Sequence, residues 1–81
     1  MQCFIYKSLK KEYVYLYITQ QDDFSKVPAE LLKTLGKIEL VMKLELSPQR
    51  KLVSEDVVTV MKQLQEKGFY LQMPSTEYVF T

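Results

Sequence analysis

Histidine and tryptophan are absent from this 81-residue chain, cysteine occurs once and glycine only twice. Without histidine the commonest general base and metal ligand are missing, and with them the usual Ser-His and Cys-His nucleophile pairs. A lone Cys3 excludes an internal disulfide and a cysteine-built zinc site, and it suits a reducing compartment, so the expected location is cytoplasmic. Gly36 and Gly68 lie far apart, which leaves no phosphate-cradling loop. No apolar run approaches the roughly 20 residues that cross a bilayer, and the first residues lack a charged segment followed by a long apolar one. Neither membrane insertion nor export is expected. Charge of one sign is also scarce: 11 Lys+Arg against 10 Asp+Glu leave a net +1. There is no global field to gather nucleic acid, although a local basic patch stays open.

What is present is periodic apolar sequence. Gln2 to Lys7 reads as a first strand and Tyr13 to Thr19 as a second, joined through the polar Ser8 to Glu12 as an antiparallel hairpin. In the second, Val14, Leu16 and Ile18 point one way and Tyr13, Tyr15 and Tyr17 the other. Pro28 suits the first turn of a short helix whose leucines Leu31, Leu32 and Leu35 face inward and which stops at Gly36. From Ile38 to Leu46 the alternation puts Ile38, Leu40, Met42, Leu44 and Leu46 on one side. A longer helix follows, with Ser54 as its N-cap, Glu55 and Asp56 in its first turn, and Val57, Val60, Met61 and Leu64 as its apolar stripe. Gly68 closes it. Phe69 to Met73 forms the last strand, and Pro74 ends the sheet.

A strand-helix-strand unit normally sets its two strands parallel and adjacent. The expectation is therefore a single α/β (α+β) domain over residues 1–74 with a tail over 75–81. Its sheet is four-stranded and mixed, with the long helix packed on one face and the short helix on an edge or the other face.

The segments CFIYKS, YVYLYI, DDFSKVPAELL, KLVSEDV and GFYLQMP, taken in that order, resemble the YcgL family of small bacterial cytoplasmic proteins. The most specific pieces are Asp22 to Pro28, followed by Leu31, and Gly68 to Pro74. The resemblance covers nearly the whole chain and implies a sandwich of helices on a sheet of about four strands. It implies no activity, because that family has none established, and it transfers no functional residue.

The remaining chemistry is sparse. Cys3 lies within a strand, where a thiol serves as a small buried hydrophobe. Asp22 and Asp23 are adjacent carboxylates that an enzyme with a metal would need to bring together with a third acid, but Asp is common in turns. Glu39 and Glu45 flank Lys43 on the polar side of a strand. Arg50 and Lys51 make a small basic cluster. Tyr13, Tyr15 and Tyr17, with Lys7, Lys10 and Lys11 at the hairpin and Lys43 on the same side of the sheet, form the candidate partner surface. Aromatics interleaved with lysines suit stacking on single-stranded RNA, whereas tyrosines at alternate strand positions more often make a floor beneath a helix, here the one beginning at Pro28. By exclusion, the expected function is a non-catalytic protein-interaction or regulatory module. RNA binding is the alternative, and a carboxylate enzyme is a distant third; no cofactor or metal is expected.

Overall fold

Strands β1 (Gln2–Ser8) and β2 (Tyr15–Ile18) bury side chains on both of their faces, which suits the middle of a sheet and places them there. The computed structural model describes residues 1–50, 52 and 56–73. Two helices, α1 (Ala29–Leu35) and α2 (Val57–Lys67), and two further strands, β3 (Ile38–Glu45) and β4 (Phe69–Gln72), complete an α+β domain. The strand order is β3-β1-β2-β4, and all three pairings are antiparallel.

This corrects the mixed sheet expected from the sequence. β3 and β4 are not neighbours but opposite edges, with the β1–β2 hairpin between them. The crossover rule concerns parallel neighbours, and the hairpin, richer in buried side chains than either edge strand, takes the places that rule assigned to β3 and β4. Surfaces inferred from their adjacency go with it.

A second correction concerns β3 itself. Tyr6 pairs with Leu40 and Ile5 with Met42, so Val41 is an extra residue without a partner on β1. Such a bulge shifts the alternation by one, and a one-residue shift sends every later side chain to the other face. Ile38 and Leu40 accordingly join one hydrophobic cluster and Leu44 and Leu46 the other. Val41 and Met42, at the irregularity, are half exposed.

The two clusters lie on opposite faces. Cys3, Ile5 and Tyr17 group with Leu46 and with Val57, Val60 and Leu64 of α2. Phe4, Tyr6, Val14, Leu16 and Ile18 group with Val27 and Leu35, and Leu31 and Leu32 of α1 pack against them. Tyr15 and Tyr17 therefore face the α2 side and not α1, whose floor is Val14, Leu16 and Ile18.

Local starts and stops follow ordinary capping chemistry. The α2 helix begins at Val57, with the Asp56 carboxylate accepting from the Val58 N–H as its N-cap, so Asp56 precedes the first turn instead of standing within it. Ser54, Glu55, Lys51, Pro74 and the tail from residue 75 lie outside the described residues. Pro28 is the N-cap of α1, one position earlier than expected, because its ψ of 138° is extended. Gly36 and Gly68 follow the two helices.

The buried Cys3 thiol gives the fold an alkaline limit. Burial pushes its pKa from 9.0 up to about 11, against the opposing pull of Arg50 and the chain's amino terminus. The fold favours the neutral thiol, so its contribution is whole below pH 9 and is lost as pH rises through about 11. A rise of about two units corresponds to about 2–3 kcal/mol. Urea denaturation at pH 8 and pH 11 should show the wild type losing that much more stability than Cys3→Ala. Equal losses would mean the thiolate is solvated in the folded state.

Candidate functional site

Lys7 and Tyr15 stand directly opposite each other in the β1–β2 ladder, two residues beyond the Ile5–Tyr17 pair and on the same face. Past them the hairpin closes through Ser8 N–H donating to the Val14 carbonyl at 3.1 Å. Together with Leu9, Glu12 and Tyr13, these residues line a shallow cleft of about 330 Å³.

The loop that shapes the cleft is tied to the body of the protein. Ser8 Oγ, itself buried, donates to the Leu35 carbonyl at 2.7 Å and accepts from the N–H groups of Lys10 and Lys11 at 3.2 and 3.0 Å. Leu9 N–H donates to the Lys37 carbonyl at 2.9 Å. One hydroxyl thus joins the end of α1 to the loop. Ser8→Ala would strand a buried acceptor and two loop donors, and should cost about 1–3 kcal/mol in chemical denaturation. It should also speed amide exchange at Lys10 and Lys11; unchanged exchange there would show that the loop is held some other way.

Tyr13 is the unusual member. Its φ of 66° lies in the left-handed region, where a bulky aromatic is an outlier, and its side chain is half exposed. Strain of this kind costs on the order of 1–3 kcal/mol and is commonest at ligand-contacting positions. Tyr15 is partly buried, and Lys7 Nζ lies 3.8 Å from Glu39 Oε2 with both side chains largely in water, a pair of little energetic weight. The cleft therefore combines two phenol rings, an aliphatic wall, one ammonium and one carboxylate.

The other sequence candidates fall elsewhere. Tyr17 is buried, with its hydroxyl donating to Gln72 Oε1 and its ring edge-on to Tyr70. Lys10 and Lys11 are exposed on the loop beside the cleft. Lys43 pairs with Phe4, which in turn pairs with Ile18, so it stands on the opposite face from Tyr15 and Tyr17. The bulge at Val41 put it there, because Glu39, before the bulge, remains on the Lys7 side. Glu12, Leu9 and Ser8 were not singled out from the sequence, although they sit in the same short segment as the lysines that were.

The carboxylates are occupied with structure. Asp22, at φ 61°, accepts from the Tyr6 hydroxyl at 2.8 Å while its own N–H donates back to that oxygen at 2.8 Å. Burial raises the Tyr6 pKa. Hydrogen bonding from Ser25, first from its side chain and then from its N–H to Asp23 Oδ1, lowers the Asp23 pKa. Glu45 meets the Met1 amino group at 2.6 Å. Among the described residues no three Cys, Asp or Glu side chains converge as metal ligands would, and no helix is long and apolar enough to cross a membrane.

Fold and site together define a small α+β domain with an aromatic, mixed-charge cleft at one end of an antiparallel sheet. The chain belongs to the YcgL family, whose domain matches residues 3–75. It is 49% identical over 74 residues to a YcgL domain-containing protein of Pectobacterium atrosepticum, covering 91% of this chain and 87% of that protein. The same identity relates it to Protein YcgL of Escherichia fergusonii, with 91% of this chain and 76% of that protein covered. A protein of Nitrosococcus oceani bearing the name "Putative HAD-like hydrolase" is 51% identical over 76 residues. That match takes in 94% of this chain and only 20% of the larger protein.

Proposed function

We propose that this chain is a non-catalytic interaction module that works in the cytoplasm and engages a protein partner through the cleft of Lys7, Glu12, Tyr13 and Tyr15. The supporting observation is that cleft. On the sheet face where α2 residues group with Cys3, Ile5 and Tyr17, the next residues along the hairpin bring two phenol rings together with one ammonium and one carboxylate. Tyrosine offers apolar area and a polar tip together, which is why it is enriched at interfaces.

The reading is tested by placing a photo-crosslinking benzoylphenylalanine at position 13 in cells and treating the adducts with nuclease or protease. Discrete adducts that protease removes and nuclease leaves are expected, with none from the same probe at the exposed Lys62 of α2. Adducts that nuclease removes would put RNA in the cleft and replace this reading. Equal labelling from the two positions would contradict any specific surface.

A further inference from the structure

We infer that the segment seated in this cleft is an acidic, extended peptide with one bulky apolar or aromatic side chain; this rests on the reading that the cleft engages a protein. The size of the cleft sets the first half of the description. At about 330 Å³ it is at the low end for a ligand site and suits a single large side chain lodged between Tyr13, Tyr15 and Leu9.

The rim sets the second half. Lys10 and Lys11 project from the loop, and the loop is bonded to the α1–β3 connection through the Lys37 carbonyl. A Cβ placed on Gly36 would lie 3.3 Å from Lys10 Cβ and Cδ, so the Lys10 stem runs across that connection. Lys10 and Lys11 thus sit in the loop between Leu9 and Glu12 of the cleft, and Lys37 is bonded through its carbonyl to Leu9. Lys33, in the last turn of α1, adds to the same end.

Among the described residues the acids at this end are Glu12, within the cleft, and Glu39, already beside Lys7. Among the described residues Lys10, Lys11 and Lys37 have no carboxylate within 4.0 Å. In a chain whose net charge is only +1, this is a local excess of cation around an aromatic cleft. Carboxylates on either side of an inserted ring would lie over the rim lysines, and Glu12 would be left to accept a backbone N–H of the peptide. Complementarity of this kind governs encounter rate and partner choice more than total affinity.

Fluorescence anisotropy with three labelled probes tests the inference. These are a twelve-residue peptide of aspartate and glutamate around a central phenylalanine, the same peptide with lysine in place of each acid, and a twelve-nucleotide oligo(U). The acidic peptide is expected to bind, more weakly as salt rises, and to lose about tenfold in affinity to the Lys10→Glu/Lys11→Glu variant. An alanine in place of its phenylalanine should weaken it similarly. So should Tyr13→Gly in the protein, a change that suits the φ of 66° and so preserves the fold.

Binding of the lysine peptide in preference would overturn the acidic partner and leave the protein-binding reading standing. Preference for oligo(U) would overturn both. No binding of the acidic peptide at millimolar concentration, or binding indifferent to the charge reversal, would overturn the inference.

Discussion

Leu16→Ala is expected to lower the unfolding free energy by about 2–5 kcal/mol. Leu16 is 1% exposed on a central strand, flanked across the ladders by Tyr6 on β1 and Leu71 on β4. Its side chain belongs to the cluster that includes Phe4, Ile18, Val27 and Leu35. Truncation removes apolar burial and leaves a cavity that four neighbouring elements cannot close together. For a chain of this length total stability is about 4–12 kcal/mol, so the loss takes a large share of it. Val41→Ala, at the half-exposed bulge, should stay within about 0.5 kcal/mol under the same urea titration. Comparable losses from the two substitutions would mean that the cluster on the α1 face is not packed as described.

Gly68→Ala should cost on the order of 2–4 kcal/mol, from two sources. The residue closes α2 with φ 85° and ψ 0°, its N–H donating to the Leu64 carbonyl. Any side chain pays the left-handed penalty there. In addition, the new Cβ would fall 2.3 Å from Lys26 Cδ and 2.8 Å from Lys26 Cβ. The second distance matters more, because Cβ cannot swing away as the tip of a lysine can, so the turn before α1 must move. Lys26→Gly in the Gly68→Ala background should return the steric part and leave the backbone part, about 1–2 kcal/mol. Full recovery would mean the backbone conformation costs nothing.

The parts of this fold that the sequence discloses are the parts decided locally. The spacing of Val57, Val60, Met61 and Leu64 marks α2 because helical periodicity needs no partner to be visible. The two apolar runs around Ser8 to Glu12 mark a hairpin for a similar reason. The place of β4 depends instead on which strand it meets, and its pairing with β2 is a choice made 51 or more residues along the chain. The bulge at Val41 is hidden more thoroughly. Ile38 to Leu46 alternates cleanly as text, and only the consecutive pairing of Ile5 and Tyr6 with Met42 and Leu40 divides that row between two faces.

The candidate site was legible to the same degree. Tyr15 and Lys7 follow from hairpin register, and Lys10 and Lys11 from polarity, whereas Tyr17 went under the α2-side cluster and Lys43 crossed to the other face with the bulge. The left-handed backbone at Tyr13 has no signal in its residue type, because glycine or asparagine is the usual occupant of such a position.

The arrangement of β3 across the two faces is what leaves Lys7, Tyr13 and Tyr15 together without Lys43, and methyl and aromatic NOE spectroscopy on labelled protein tests it most directly. Leu40 methyls should show contacts to the Tyr6 group and Leu44 methyls to the group of Cys3, Ile5 and Val60, with Lys43 remote from the Tyr15 ring. Leu40 and Leu44 methyls sharing one set of neighbours, or Lys43 lying beside Tyr15, would contradict the account.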